Sequence, residues 1–528
     1  MTDTYPWLTL VPPLLAILLA IVTRKVIPSL GVGVLAAALL IADFSPMGTL
    51  TSLWEAFAAI FWEDGELNRT YVFILAFTLL LGVIGAFIMM SGGTKAFADW
   101  AYERIHTRRG ATYLPGALGM AIFVDDYFNA LTVGQVSRPV TDRFRISRAK
   151  LAYVVDSTSA PVAVVMPFSS WGAYIIGVLA PIAAASALTA SDLEVFVGAA
   201  LANYYAFAAV LTVWLMLVLR IDVGPMRTQE RAAIHEGDLT GDATDVPGQL
   251  SEDLPVHRPG AKRALIVPFA ALVVGVLVGI VWTGYLAAGS WSPIAVLAET
   301  DVTTALLGGG IVGLVVAIYY YLRDTNENPR FGVHTFGRAW AEGLRAMAPA
   351  VAILMLAWTL GALIDELGTG EYLGHLVETT ALGAAWLVPL MFVVAGAMAF
   401  ATGTSWGSFG ILLPIAGSIM NTLAEPDLLL PALGAVLAGA VLGDHISPIS
   451  DTTILSATGS ACSVITHVVT QLPYALLSAV GALLGYVTLA LTGSTWLGLV
   501  VALAATTALL LGARALAKPL PDAERTVA

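Results

Sequence analysis

The 528-residue sequence holds a single cysteine, Cys462. No intrachain disulfide can form, and no cysteine-rich metal site can be built. Charge is scarce as well. Only 12% of the residues are Asp, Glu, Lys or Arg, against about a quarter in soluble domains. What charge there is leans acidic, with 37 Asp and Glu against 25 Lys and Arg and a formal net charge of −12. That balance argues against nucleic acid as a partner. The opening MTDTYPWLTLVPPLLAILLAIVTRK lacks the basic start and small-residue cleavage site of a secretory leader, and reads as a first span.

Apolar residues fill the space that charge leaves. They make up 58% of the chain, and the mean hydropathy is +0.83. Many windows have the ~20 apolar residues that cross a bilayer core, such as TWLGLVVALAATTALLLGA near the C-terminus. The expected fold class is an all-α polytopic membrane protein. It has about 11 transmembrane helices plus two re-entrant hairpins, arranged as inverted-topology repeats with broken helices.

Lysine and arginine in short loops mark the cytoplasmic side. A span over 7–22 ends at Arg24 and Lys25, and one over 27–43 leads to an acidic loop with Glu55, Glu63 and Glu66. The N-terminus is thus expected outside. A span over 70–90 returns to Lys95, Arg104, Arg108 and Arg109, inside. The apolar segment 112–136 is then followed by Arg138, Arg143, Arg145, Arg148 and Lys150, inside again. Basic loops at both ends do not allow a single crossing, so this segment is expected to enter and turn back. In the second half, 383–422 lies between two acidic loops and is the second expected hairpin. The tail with Arg514, Lys518 and Arg525 is expected in the cytoplasm.

The chain then divides into six parts. N-terminal spans with an acidic external loop occupy 1–69, and a first repeat 70–219. A hydrophilic cytoplasmic linker, expected to be poorly ordered, runs over 220–263. Connecting spans with a basic segment follow at 264–345, a second repeat at 346–491, and a last span with its tail at 492–528.

Two pairs of segments suggest the repeat. GMAIFVDDYFNALTVG (119–134) matches GAMAFATGTSWGSFGI (396–411) in kind: a small apolar entry, Phe, then a polar break. VVDSTSAPVA (154–163) matches LGDHISPISD (442–451): Asp, hydroxyls, then Pro. Broken helices expose carbonyls and half-helix dipoles at the membrane midplane, and non-helical backbone survives there only where it is buried or lines water.

An ionisable residue inside a span costs at least about 2.5–3.5 kcal/mol at the centre and is a functional candidate by default. Asp125, Asp126, Asp156, Asp444, His445 and Asp451 qualify. The bland reading is that some cap half-helices, or that His445 is a hydrogen-bonded structural residue. Hydroxyls and one amide stand beside them: Ser447, Thr452, Thr453, Ser157, Thr158, Ser159, Thr402, Thr404, Ser405 and Asn129. They can coordinate a hard cation, or they can satisfy carbonyls freed by the breaks. Ser450 belongs with them. The basic residues cluster in loops, leaving none in these segments to clamp an organic anion. Carboxylates, hydroxyls and carbonyls suit sodium, and sodium competing with protons for the same carboxylates amounts to antiport.

GDHISPISDTTILSATGSACSVITHVVTQLPYAL (443–476) closely resembles the signature segment of NhaC-type sodium/proton antiporters. FATGTSWGSFGILLPIA (400–416) and FVDDYFNALTVGQVSRPVTD (123–142) resemble that family's hairpin segments. The resemblance implies the ion-transporter superfamily, alternating access and exchange of sodium for protons. Some similar proteins exchange malate and lactate, or carry amino acids. A sodium- or proton-coupled carrier of such solutes is therefore the alternative. An intramembrane aspartyl protease also uses two membrane aspartates, but no Tyr-Asp partner motif is present, so no enzyme activity is expected. The expected partners are sodium ions, protons and the lipid bilayer of the cell membrane, with a second copy of the chain as a candidate. No cofactor is expected.

Overall fold

The structure, a computed structural model, describes residues 5–23, 25–63, 65–123, 126–167, 169–186, 190, 192–241, 254–369, 372, 383–423, 425–517 and 520. Helices begin where a short polar side chain can close the first free amides. Asn68 does so for α4 (Arg69–Met90), accepting from the Tyr71 amide at 3.3 Å.

Before it lie the short apolar α1 (Val11–Thr23) and α2 (Val26–Ile41), then α3 (Pro46–Ala58). The acidic loop carries a small hairpin, β1 (Trp62–Glu63) antiparallel to β2 (Glu66–Leu67). After α4 come α5 (Gly93–Arg104), α6 (Arg108–Ala121), α7 (Asp126–Arg143), α8 (Arg148–Ser157) and the one-turn α9 (Ala160–Ala163). The first half closes with α10 (Ser170–Ala184), α11 (Asp192–Leu201), α12 (Tyr204–Leu219) and α13 (Gly224–His235).

The second half opens with α14 (Arg263–Ala288), α15 (Pro293–Ala298), α16 (Val302–Thr325) and the long α17 (Val333–Glu366). It continues through α18 (Ala384–Thr402), α19 (Ser405–Thr422), α20 (Pro426–Ile446), α21 (Asp451–Gly459), α22 (Val464–Thr492) and α23 (Thr495–Leu516). Among the described residues nine helices are long and apolar enough to cross a membrane. The protein is a polytopic all-α membrane protein.

The helix is interrupted at each polar segment that the sequence sets in an apolar run. The interruptions fall between Ala121 and Asp126, at Thr158–Ser159, at Gly403–Thr404 and from Ser447 to Ser450. Gly403 ends α18 with φ +74°, and a Cβ there would meet the Ile449 carbonyl oxygen at 2.6 Å. A left-handed residue pressed against backbone favours glycine.

Two of the breaks, after α8 and after α20, fall at a seam. One apolar core gathers α2, α4, α14, α16 and α17, together with buried residues of α7 and of α21 (Ile454, Leu455). A second gathers α10 to α12 with α18, α19 and α20. Val155 of α8 lies in the first core and Ala163 of α9 in the second, while α20 lies in the second and α21 in the first. The α8–α9 and α20–α21 helices therefore unwind as they pass between cores, whereas α18 and α19 both lie in the second. The pieces meet closely: a Cβ on Gly134 of α7 would stand 2.6 Å from the Gly459 backbone of α21.

The hydrophilic stretch 220–263 differs from the expected disordered linker in its first part. Residues Gly224–His235 form α13, and Glu230 within it is fully buried. Its carboxylate accepts from Arg108 at 2.6 Å, from Lys150 at 2.9 Å and from the Ser147 amide at 2.8 Å. Lys150 also meets Asp222 at 2.6 Å. Lys150, read from the sequence as part of a basic cytoplasmic loop, instead sits buried in α8. Its charge is tolerated because two carboxylates answer it.

Candidate ion site and its access cavity

Two buried polar centres occupy the seam. The first is built on the Ser447–Ser450 break. Ser450 caps α21, accepting from the Thr453 amide at 3.3 Å, and its hydroxyl donates to Asp444 Oδ1. Ser405, the first residue of α19, donates to Asp444 Oδ2 at 2.7 Å. Ser450 Oγ also lies 3.0 Å from Thr452 Oγ1, and the Thr452 amide donates to Asp451 Oδ1 at 2.8 Å. Tyr127 of α7 donates its hydroxyl to Asp451 Oδ2 at 2.5 Å, and Trp358 of α17 faces the same carboxylate. Asp444 and Asp451 are 1% and 4% exposed. They act on one another electrostatically, and a cation or a proton relieves the repulsion of two buried carboxylates.

The second centre surrounds Asp156, the last-but-one residue of α8. Ser456 donates to its Oδ1 at 3.0 Å. Gln471 at 2.7 Å and His467 Nε2 at 3.2 Å address Oδ2. His445 Nε2 lies 3.8 Å from the same oxygen and 3.1 Å from Ser157 Oγ, with its Nδ1 2.7 Å from the Tyr205 hydroxyl. The Gln471 amide also donates to the His445 carbonyl. One side chain thus links Asp156 to the residue beside Asp444.

Most of the remaining candidates close backbone groups. Asn129 donates to the carbonyls of Gly119 at 2.7 Å, Ile122 at 2.8 Å and Thr158 at 3.3 Å. Thr158 donates to the Val154 carbonyl, Ser159 to that of Asp156 and Ser447 to that of Phe400. Thr453 donates to the Asp444 carbonyl at 3.4 Å. Thr402 donates to the Thr404 carbonyl, and Thr404 caps α19. Freed carbonyls and amides need such partners in an apolar surround. Asp125 lies outside the described residues.

A cavity of about 740 Å³ leads to the first centre. Asp451, Asp126, Tyr127 and Ile449 line its inner part. Asn68, Asp301 and Asp365, at the ends of α4, α16 and α17, line its mouth. Asp444 and Asp156 are not among the lining residues. Asp126 is buried and shares the cavity with Asp451. Among the described residues, no group of three or more His, Cys, Asp or Glu is arranged to hold a metal ion. The donors at the first centre are carboxylates, hydroxyls and carbonyls, which suit hard cations.

Sequence reasoning missed Tyr127, Trp358, Ser456, His467, Gln471 and Tyr205. The one usable signal was in VITHVVTQL, where His467 and Gln471 stand four apart and so share a helix face.

The sequence profile of the Na+/H+ antiporter family matches residues 162–491. The chain belongs to the Na+/H+ antiporter family. It is a multi-pass membrane transporter. An uncharacterized protein of Haemophilus influenzae is 40% identical over 491 residues, covering 92% of this chain and 91% of that protein. The Malate-2H(+)/Na(+)-lactate antiporter of Bacillus subtilis is 36% identical over 124 residues, 22% of this chain and 25% of its own. An uncharacterized Na(+)/H(+) antiporter of Haemophilus influenzae is 29% identical over 160 residues, 28% and 34% of the two chains. The family match takes in α18 to α22 and thus Asp444, Asp451, His467 and Gln471. Asp126, Tyr127 and Asp156 precede it.

Proposed function

We propose that this chain exchanges sodium ions for protons by alternating access, with Asp451 and Asp444 as the groups that hold cargo. The observation that carries this reading is the chain of contacts from Asp444 through Ser450 and Thr452 to Asp451, set on unwound backbone at the inner end of a cavity. Membership of the family supports it. Sodium coordinated by the carboxylates and nearby oxygens displaces their protons. Protonation at the other face then releases sodium. Asp126 lies where an entering cation passes, and Asp156 with His445 forms a neighbouring centre coupled through Gln471. Thr452 and Ser405 supply hydroxyl oxygens next to the carboxylates.

Loop charges place the N-terminus outside and the C-terminus in the cytoplasm. On that assignment the mouth at Asn68, Asp301 and Asp365 opens outward, since all three belong to loops read as external. The basic residues around Glu230 then face the cytoplasm.

Everted vesicles with an imposed pH gradient provide the test. Added sodium should collapse the gradient, and Asp444→Ala or Asp451→Ala should abolish the collapse. Full exchange in both variants would overturn the site. The cavity volume favours a second reading, a sodium- or proton-coupled carrier of an organic solute such as an organic acid or amino acid. Solute-dependent proton movement in the same vesicles separates the two.

A further inference from the structure

The cavity is much larger than an alkali ion requires, and its volume of about 740 Å³ falls among those of pockets that hold small organic molecules. Its walls are aromatic on two helix pairs. Tyr71 of α4 and Trp358 of α17 pair with ring centroids 4.5 Å apart, and Tyr174 of α10 and Trp406 of α19 at 4.6 Å. All four rings line the space.

The charged groups among its described lining residues are all carboxylates, with no lysine or arginine. At the mouth, Asp301 is engaged by the hydroxyls of Thr303 and Thr304 and feels Arg69. At the inner end, Asp451 and Asp126 face the space. At the start of α19 the Thr404 hydroxyl accepts from the Trp406 amide at 3.2 Å, which closes part of that helix end within the chain.

We propose that the cavity binds a small organic cation, an amine or quaternary ammonium with an apolar body, its charge toward Asp451 and Asp126 and its body among the four rings. Aromatic faces attract such cations, and the quaternary ammonium group is the best-known ligand of aromatic cages. A hydrated alkali ion gains little from that apolar surface, and an organic anion meets no lysine or arginine among the described lining residues. The proposal rests on the reading of the chain as a cation-coupled transporter and gives that cavity a substrate class.

The test uses the full-length protein in proteoliposomes, with choline, phenethylamine and putrescine as probes. Malate and lactate serve as anions, and 3,3-dimethylbutanol as the uncharged counterpart of choline. Retention of radiolabelled probe by the purified protein is measured beside sodium-driven proton movement. At least one cation should bind and compete with sodium, with dimethylbutanol at least tenfold weaker than choline and the anions without effect. Trp406→Leu should weaken cation binding at least fivefold, and Trp406→Phe should restore most of it. Sodium-driven proton movement that no cation perturbs, together with no retained probe, would overturn the proposal while leaving the exchange reading intact. Equal binding of choline and dimethylbutanol, or tighter binding of malate or lactate, would also overturn it. Retained cation without any sodium-driven proton movement would sink the exchange reading and uphold the cavity's ligand class.

Discussion

The break after Asp156 and the break between Asp444 and Asp451 are written in the same residues: aspartate, hydroxyls, proline. Their surroundings differ. Asp156 is enclosed by Ser456, His467 and Gln471, which fill both its oxygens. Asp451 is held by the Tyr127 hydroxyl, the Thr452 amide and Trp358, and it borders open space. A carboxylate saturated by neighbours holds elements together, whereas one that borders a cavity is free to exchange its partner for cargo. Burial alone does not separate the two, since both are nearly inaccessible. The cavity does, since it reaches Asp451 and not Asp156.

The comparison can be broken by removing each aspartate in turn. Asp156→Ala would strand three buried donors, and about 3 kcal/mol or more of stability should be lost. A fall in melting temperature of the detergent-purified protein reports it, and an unchanged melting point would show that Asp156 does not act as a tie. Asp451→Asn should do the reverse, leaving the melting point nearly unchanged. Its sodium-driven proton exchange should fall on the order of 100-fold, as loss of a buried charged group with its hydrogen bonds implies. Tyr127→Phe should lower exchange about tenfold, the order expected from one hydrogen bond to a charged group. A sodium titration of the vesicle assay should find the half-saturating concentration shifted.

The smallest effect is expected away from both breaks, at the cavity mouth. Burial works to raise the Asp301 pKa, but the Thr304 hydroxyl and amide and the Thr303 hydroxyl hold it below the usual carboxylate value. A depressed pKa contributes stability above the unfolded-state value and loses it as pH falls through the folded one. Asp301→Ala should therefore cost about 1 kcal/mol, as for loss of a helix cap. The difference from the unaltered protein should shrink as the pH drops below about 4, which thermal melts across that range would check.

Much of this arrangement was legible in the sequence. A polar residue in an apolar run has few explanations, so the helix interruptions near Asp126, Asp156, Gly403 and Asp444 showed themselves directly. Asp444, Asp451 and Ser405 were visible for the same reason. Tyr127 was overshadowed by the aspartates beside it, and His467 and Gln471 sit in a largely apolar helix, where such residues read as ordinary packing. The division of the aspartates into one saturated and one open group depends on which distant helices approach them, and no local pattern encodes that. The helix α13 was concealed by composition. Met226, Glu230, Ala233 and Ile234 are its buried face, a helical spacing masked because one of the four is a glutamate, whose partners lie on α6 and α8.

The glycine contact between α7 and α21 has a mechanical consequence. Gly134 faces the Gly459 backbone, and a Cβ on Gly459 would stand 2.5 Å from the Ala130 carbonyl oxygen. Backbones in such contact leave no side-chain layer to slide on. On the proposed exchange reading the two helices move as one part, and the Tyr127–Asp451 hydrogen bond between them is kept. That reading then exposes Asp451 to the opposite side of the bilayer without prising α7 from α21.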